Sequence, residues 1–278
     1  MTPRELIRLT AAIFRTGDIP DPENDAALLL SSLTGIPALN LRLDTDTELQ
    51  PDVLSAYRDL SEKRLRRFPL QYLLGNVTFC SRPFRVDQRV LIPRPETELL
   101  CQWALEILQD TPSPRILDLC CGSGCIGLTL KAERPDASVT LSDLSADALD
   151  MAAENAARLS LEVTLKQSDL FRSLENVSYD LIVSNPPYIP SADCDSLQPE
   201  VRYEPRLALD GGADGCSLYR RIIDSSAAFL TRGGVLLMEL GFSEAAPVSQ
   251  LLSEHGFKEI QVRKDYAGID RMIRAVRP

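Results

Sequence analysis

Hydrophobic and polar positions follow a helical pattern in the first part of the chain. Residues 1–67 carry apolar side chains at helical spacing. Asp21 and Pro22 are typical of a helix start, an apolar run at 26–33 follows them, and Gly35 can end that helix. These signals predict a small helical domain at the N-terminus.

The pattern changes after a further predicted helix at 52–67. Residues 72–92 alternate in the manner of β-strands and contain turn signals at Gly75 and Pro83. We interpret them as a β-hairpin that joins two domains. Another helix, predicted at 97–108, leads into the second domain.

From about residue 113 onward, short apolar runs alternate with helical stretches. The predicted strands are 115–119, 138–141, 163–166, 179–183, 234–240, 259–263 and 271–276, and the predicted helices between them are 124–132, 146–159, 217–230 and 245–255. Such alternation is typical of an α/β fold with a mostly parallel sheet, here of seven strands, and helices on both faces. The predicted domains are residues 1–70 (helical), 71–92 (hairpin linker) and 93–278 (α/β).

The composition is that of a soluble globular protein, since 44% of the 278 residues are hydrophobic and 25% are charged. The formal net charge is −10, and because residues 1–90 hold 12 basic and 12 acidic side chains, all of it lies in residues 91–278. An acidic body argues against stable binding of nucleic acid, which needs clustered Lys and Arg. One basic cluster, at residues 63–67, is either a solvated helix face or a contact patch for an anionic surface.

The remaining composition gives expectations about location. The apolar runs are far shorter than the ~18 residues of a membrane helix, and the N-terminus carries charges where a secretory signal is apolar. Seven cysteines without a CxxC pair and a single histidine argue against a metal site. We therefore expect a cytoplasmic protein with reduced thiols, no metal and no membrane association. We also expect a monomer.

The first chemical signal is a glycine turn between a predicted strand and a predicted helix. Asp118 lies near the end of the strand, and Gly122, Gly124 and Gly127 follow with the spacing G-x-G-x-x-G. Asp143, after the next strand, can accept hydrogen bonds from both hydroxyls of an adenosine ribose. This pattern alone fits either a nicotinamide dinucleotide or S-adenosylmethionine (AdoMet). Asp118 favours AdoMet, because a carboxylate there suits the ammonium of a methionine and would repel a pyrophosphate.

The second chemical signal is the sequence Asn185-Pro186-Pro187-Tyr188, which directly follows another predicted strand. The prolines stiffen the segment, and the Pro186 carbonyl and the Asn185 side-chain oxygen are two hydrogen-bond acceptors beside an aromatic ring. Such a set suits a planar –NH2 group. The segment resembles the (D/N/S)PP(Y/F/W) motif of AdoMet-dependent methyltransferases that act on amide or amino nitrogen.

Further stretches make the resemblance narrower, and it covers nearly the whole chain. They are residues 69–75 (PLQYLLG), 92–98 (IPRPETE), 200–205 (EVRYEP), 208–215 (ALDGGADG) and 265–271 (DYAGIDR). Together with NPPY they resemble the glutamine-N5 methyltransferases of peptide chain release factors (the HemK/PrmC family). The resemblance implies a class I, Rossmann-like methyltransferase fold, AdoMet as methyl donor, and the glutamine of a release factor Gly-Gly-Gln tripeptide as acceptor.

The resemblance also assigns roles by position. The cofactor-binding residues that it implies, together with Asp118, are Cys120, Cys121, Gly122, Ser123, Gly124, Asp143, Asp169, Leu170 and Asn185. The catalytic residues would be Asn185, Pro186 and Tyr188, and the substrate-binding residues would be Asn185, Pro186, Pro187 and Tyr188. Arg94, Pro95, Glu96, Thr97 and Glu98 would close over the cofactor as a lid. The partner implied is a release factor, and we expect residues 1–70 to dock it.

Three positions depart from the family pattern. Cys120 occupies the first position of the glycine loop, where a positive φ is costly for any other residue than glycine. Leu170 replaces an aromatic residue that would stack on adenine, and Phe242 begins a stretch without the expected glutamine. Three other function classes stay open: a methyltransferase of exocyclic amines in nucleic acids, a nicotinamide oxidoreductase, and a noncatalytic module that keeps the cofactor fold.

Overall fold

The structure, a computed structural model, describes residues 1–174 and 177–278. The chain divides into two compact units. The first contains residues 1–76 and the short segment 198–203, and the second contains residues 77–197 and 204–278. Within the described residues, no helix is both long enough and apolar enough to cross a membrane.

The first unit is helical, as the sequence pattern predicts. Its helices are α1 (Pro3–Thr16), α2 (Pro22–Thr34), α3 (Ala38–Leu43), α4 (Pro51–Leu65) and α5 (Leu70–Leu74). Gly35 ends α2 with φ +71°, so the predicted stop is confirmed. Asp21 precedes α2, although its side chain makes no capping hydrogen bond, and Pro22 begins the helix with its fixed φ. Apolar side chains such as Phe14 and Tyr57 form one buried core.

Two arginines of the basic cluster at 63–67 are paired with carboxylates inside the first unit. Arg64 is 4% exposed and donates hydrogen bonds to Asp25 (2.7 Å) and Glu200 (3.0 Å). Arg67 donates two more to Glu200, at 2.6 and 2.7 Å. Burial raises the pKa of Asp25 even though an arginine lies beside it. The predictions of a solvated face or an anion-binding patch are therefore wrong for Arg64 and Arg67, because a carboxylate from a distant part of the sequence occupies both.

A two-stranded hairpin follows α5. Its strands are β1 (Asn76–Phe79) and β2 (Arg82–Arg85), so a hairpin is confirmed in this region. It is shorter than the predicted 72–92, because residues 70–74 are helical and residues 86–92 form no strand. Phe79 and Phe84 lie edge to face with ring centroids 5.9 Å apart, and both are buried in a core cluster of the second unit.

A seven-stranded sheet forms the centre of the second unit. Its strands are β3 (Arg115–Leu119), β4 (Ser138–Asp143), β5 (Thr164–Gln167), β6 (Tyr179–Ser184), β7 (Leu230–Glu239), β8 (Lys258–Lys264) and β9 (Asp270–Val276). Their order is β5-β4-β3-β6-β7-β9-β8, and all neighbours are parallel except β9, which runs antiparallel to β7 and β8. The flanking helices are α6 (Pro95–Leu108), α7 (Cys125–Glu133), α8 (Ala146–Leu159), α9 (Ser217–Phe229) and α10 (Ala245–Glu254).

Apolar side chains cover the sheet in two clusters. Side chains of α6, α7 and α8 belong to one cluster, and side chains of α9 and α10 belong to the other. Gly127 lets α7 pack closely against β4, because a β-carbon at this position would lie 2.2 Å from Leu141. The predicted strands and helices are all present, although β7 begins at Leu230 and not at the predicted Gly234. The predicted fold class, a mostly parallel seven-stranded sheet between helices, is confirmed.

Candidate active site

The strand order brings the predicted functional segments to one edge of the sheet. β3 pairs with β6, with Leu119 opposite Ser184, and β4 lies on the other side of β3, with Ser142 opposite Leu119. The chain leaves β3 toward β4 and leaves β6 toward β7, so the crossovers diverge between β3 and β6. Open α/β sheets bind ligands at such a divergence. The glycine turn after Leu119, Asp143 after Ser142 and Asn185 after Ser184 therefore meet at this edge.

Asp143 holds the glycine turn in shape. Its Oδ2 accepts a hydrogen bond from Gly122 N and its Oδ1 accepts one from Ser145 N, each at 2.9 Å. Burial raises the pKa of Asp143, and these backbone N–H groups oppose the shift. A β-carbon on Gly122, which has φ +53°, would meet no protein atom within 4 Å. The turn therefore leaves open space in front of its backbone, next to a carboxylate.

Two residues other than glycine adopt the left-handed conformation at this edge. Cys120 has φ +61° and Leu170 has φ +52°. Both are positions where the sequence departs from the family pattern, and the positive φ at each costs about 1–3 kcal/mol. Strain of this kind persists only where the surrounding structure enforces it, and it is concentrated at functional sites. Both residues line the same cavity.

That cavity opens between the two motif-bearing segments. Of the predicted site residues, it is lined by Arg94, Thr97, Cys120, Cys121, Gly122, Ser123, Asp143, Asp169, Leu170, Asn185 and Pro187. The predicted site residues outside the lining are Pro95, Glu96, Glu98, Asp118, Gly124, Pro186 and Tyr188. Apolar side chains, among them Leu119, Leu144 and Ala148, complete the wall. Most residues predicted to bind the cofactor thus surround one cavity.

Asp118 lies behind the glycine turn and is fully buried. Its Oδ2 accepts a hydrogen bond from Gly127 N (2.8 Å) and so ties the first turn of α7 to β3. Its Oδ1 has no hydrogen-bond partner within the described residues. Burial raises the pKa of Asp118 to about 7. One buried acceptor thus stays available behind the turn.

The NPPY segment at residues 185–188 rests on the glycine-rich stretch at 208–215. A β-carbon on Gly211 would lie 2.7 Å from Tyr188 Cα, and one on Gly215 would lie 2.4 Å from Tyr188 O. No residue other than glycine allows so close an approach of two backbones. The stretch therefore supports the NPPY segment from behind.

A buried hydrogen-bond network connects the NPPY segment to α6 and β7. Thr97 donates its hydroxyl to Glu239 Oε2 (2.7 Å) and accepts a hydrogen bond from Asn185 Nδ2 (3.3 Å). Tyr188 donates its hydroxyl to Glu239 Oε1 (3.4 Å). Glu239, the last residue of β7, is 1% exposed, and burial raises its pKa to about 7. Burial also raises the pKa of Tyr188, so its phenol stays protonated and donates.

The predicted lid residues have different surroundings. Arg94 lines the cavity and forms an ion pair with Glu204, which is buried and also accepts a hydrogen bond from Ile92 N (3.0 Å). Glu98 lies outside the cavity lining, and its Oε1 accepts a hydrogen bond from Cys80 N (2.8 Å). Two of the family-like stretches therefore meet through the ion pair of Arg94 with Glu204.

Sequence reasoning missed Glu239 as a member of the site. Glu239 lies within the apolar run VLLMEL at 235–240. A carboxylate inside such a run indicates a buried charge that needs partners. Within residues 1–174 and 177–278, no group of three or more His, Cys, Asp or Glu could hold a metal ion. All seven cysteines lie in those ranges and are free thiols.

The sequence matches known proteins over both units. Residues 5–75 match the PrmC N-terminal domain, and residues 97–197 match the methyltransferase small domain. A release factor glutamine methyltransferase of Geobacter sulfurreducens is 40% identical over 274 residues, which cover 98% of this chain and 95% of that protein. One from Deinococcus radiodurans is 42% identical over 272 residues, which cover 98% and 97%. The chain belongs to the release factor glutamine methyltransferase family.

Solved structures agree with this membership on the level of the fold. The 16S rRNA N2 G1207 methyltransferase of T. thermophilus, solved with AdoMet and guanosine, has a TM-score of 0.54 at 20% identity, covering 73% of this chain and 50% of that one. A methyltransferase of Pyrococcus furiosus has a TM-score of 0.52 at 15% identity, covering 81% and 98%. The class I methyltransferase fold and the family that the motifs predict are both confirmed.

Proposed function

We propose that this protein transfers a methyl group from AdoMet to the side-chain amide nitrogen (N5) of the glutamine in the Gly-Gly-Gln motif of peptide chain release factors. The proposal rests on one cavity. It is lined by the glycine turn, by the Asp143 carboxylate and by Asn185 of the NPPY segment. The names of the relatives, release factor glutamine methyltransferase, point to the same reaction.

The chemistry of the cavity lining fits AdoMet. Asp143 offers a carboxylate to the two ribose hydroxyls, and Leu144 and Leu170 offer apolar surface to the adenine. Asp118, buried behind the turn, adds negative charge there when it is ionised, which favours the methionine ammonium. AdoMet supplies an electrophilic methyl group on a sulfonium sulfur.

We expect Asp143→Ala to weaken AdoMet binding by about 10-fold or more, because it removes the ribose acceptor and two hydrogen bonds that shape the turn. Isothermal titration calorimetry measures this dissociation constant. Asp150→Ala, at an exposed position of α8, is the matched control and should bind AdoMet like the wild type. Equal affinity of Asp143→Ala and the wild type would remove Asp143 from the cofactor site.

The acceptor chemistry follows from the residue types in the NPPY segment. An amide nitrogen is a weak nucleophile, because its lone pair is delocalised into the carbonyl. Hydrogen bonds from its two N–H groups to Asn185 Oδ1 and to the Pro186 carbonyl raise electron density on nitrogen and favour the charge that develops in the transition state. The ring of Tyr188 stacks on the amide plane and stabilises that positive charge, while Pro187 keeps the segment stiff.

The transfer balances without a catalytic base. The nitrogen lone pair forms the new N–CH3 bond, while the bond between the methyl carbon and sulfur breaks and its electron pair stays on sulfur. S-adenosylhomocysteine is the second product. The extra proton leaves the nitrogen to solvent after the transfer, since a protonated amide is strongly acidic. The protein contributes placement of the two reactants and electrostatic stabilisation.

A methyl-transfer assay with labelled AdoMet and purified release factor tests the proposal. We expect the label on the tripeptide glutamine, located by mass spectrometry, and none on a release factor in which alanine replaces that glutamine. No label on either protein, with AdoMet binding intact, would overturn the proposal and favour an exocyclic amine of a nucleic acid as the acceptor.

We also propose that residues 1–70 dock the release factor. Leu39 and Leu43 lie four positions apart on α3 and are 66% and 70% exposed. Leu9 and Ile13, which have the same spacing on α1, are 46% and 53% exposed. Exposed apolar side chains at helical spacing are typical of a surface that binds another protein.

We expect the combined substitution Leu39→Ser and Leu43→Ser to raise the KM for release factor by about 10-fold or more, because each leucine buries apolar area against the partner. Steady-state kinetics should show unchanged kcat, and titration should show unchanged AdoMet affinity. Val262→Ser, at an exposed position of β8 in the second unit, is the control. A wild-type KM in the double variant would contradict docking through α3.

We further propose that the protein acts as a cytoplasmic monomer without a stable nucleic-acid partner. The net charge of −10 supports the last point, and the seven free cysteines are consistent with a reducing compartment. Light scattering on the purified protein and salt-dependent RNA titrations test the oligomeric state and the binding of nucleic acid.

A further inference from the structure

We infer that Thr97 and Glu239 are positioning residues that fix the amide orientation of Asn185, so that its oxygen faces the substrate amide. The inference rests on the proposed function and deepens it. It assigns a role in methyl transfer to one residue of α6 and one of β7, neither of which belongs to the NPPY segment.

The direction of the hydrogen bonds carries the inference. When Glu239 is ionised, its carboxylate can only accept, so it accepts a hydrogen bond from the Thr97 hydroxyl (2.7 Å). The Thr97 oxygen then has only lone pairs to offer its other neighbour. It therefore accepts a hydrogen bond from Asn185 Nδ2 at 3.3 Å, and a flipped amide would place two acceptors against each other.

The orientation of Asn185 matters because the proposed substrate group is itself a donor. Asn185 and Thr97 both line the cavity, so the Asn185 oxygen is the atom left to meet a ligand there. A primary amide presents two N–H groups and needs an acceptor opposite them. The reversed amide would set an –NH2 group against an –NH2 group and lose that hydrogen bond.

Glu239 anchors both ends of the NPPY segment. Its Oε2 holds Asn185 through Thr97, and its Oε1 accepts a hydrogen bond from the Tyr188 hydroxyl. Because Glu239 is 1% exposed, water cannot take over either hydrogen bond. A single buried carboxylate therefore sets the positions of the acceptor residue and of the aromatic ring.

The charge state of Glu239 gives the network a pH dependence. Burial raises the pKa of Glu239 to about 7, while Thr97, Arg271 of β9 and Tyr188 oppose the shift and Glu96 of α6 adds to it. Protonation would give this carboxyl a hydrogen to donate and would release the Thr97 hydroxyl from its fixed direction. We therefore expect kcat to fall as the pH drops below about 7.

The test compares Thr97→Val with Thr97→Ser, because the first removes the hydroxyl from a side chain of similar shape and the second keeps it. In the release factor assay, kcat of Thr97→Val should fall by about 10-fold to 100-fold, and Thr97→Ser should recover most of this loss. AdoMet affinity should change little in either variant. Thr129→Val is the matched control, a buried threonine of α7 outside the cavity lining, and it should keep the wild-type kcat.

Glu239→Gln gives a second readout that a merely structural role would not change. Glutamine can donate as well as accept and does not titrate, so kcat should fall and the acid limb of the kcat profile should disappear. Equal kcat for Thr97→Val and Thr97→Ser, or an acid limb that persists in Glu239→Gln, would overturn the inference. A wild-type protein that methylates no release factor would instead overturn the proposed function, so the two failures can be told apart.

Discussion

Replacing Asn185 with alanine is expected to lower kcat for release factor methylation by about 100-fold to 1,000-fold, the usual effect of removing one preorganised hydrogen-bonding group from a transition state. The substitution removes the side-chain oxygen that accepts from the substrate amide and leaves the Pro186 carbonyl in place. AdoMet affinity should fall much less, because Asp143 still holds the glycine turn through Gly122 N and Ser145 N. Steady-state kinetics and titration calorimetry measure the two effects separately.

Asn76→Ala is the matched control for this variant. Asn76 is exposed, its side chain donates to the Leu74 carbonyl (3.0 Å), and it is not one of the residues that line the cavity. Wild-type kcat is expected for it. If Asn185→Ala also kept the wild-type kcat, Asn185 would not be the acceptor, whereas a noncatalytic module would show no turnover in any variant.

The central strands of the parallel sheet could be predicted because they are buried, as β3 is from Ile116 to Leu119. The run RILDL at 115–119 holds three apolar residues, and turn residues follow it on the carboxyl side. The start of β7 is harder to predict from the sequence, because Leu230 pairs with Tyr179 and the next paired residue is Val235 opposite Leu181. The hydrophobic pattern indicates which residues are buried but not which strands pair. The polar residues between Leu230 and Val235 therefore resemble a loop.

Other features depended on contacts between distant parts of the chain. Arg64 and Glu200 are separated by 136 positions, so no local pattern announces their ion pair. The helix at 70–74 has only five residues, which is too short for a 3.6-residue period to differ from alternation. The sequence therefore shows which residues are charged or apolar but does not show which distant residues they contact.

In the candidate site too, contiguous motifs could be predicted from the sequence and contacts between distant residues could not. The glycine turn and the NPPY segment could be predicted because each is contiguous and its residue types match one chemical task. The hydrogen bond between Thr97 and Asn185 spans 88 positions and forms because α6 packs against the edge where β6 and β7 are neighbours. Glu239 becomes a partner of Tyr188 for the same reason, across 51 positions.

The second large effect concerns stability, and it lies in the first unit. We expect Arg64→Met to destabilise this unit by about 3–5 kcal/mol, because the Asp25 carboxylate would stay buried without its partner while Glu200 keeps Arg67. For a unit of this size, the loss in Tm is at least about 12 °C in thermal unfolding followed by circular dichroism. Arg58→Met, at an exposed position of the same helix α4, is the control and should change Tm little.

A further variant separates the buried charge from lost packing. Adding Asp25→Asn to Arg64→Met removes the unpaired carboxylate, so the double variant should be more stable than Arg64→Met alone, although it carries one more substitution. A double variant that is less stable than the single one would show that packing of the long arginine side chain, and not the charge of Asp25, dominates. Glu200 belongs to the segment 198–203 of this unit, and because Arg67 still pairs with it, we expect that segment to keep its place in the Arg64→Met variant.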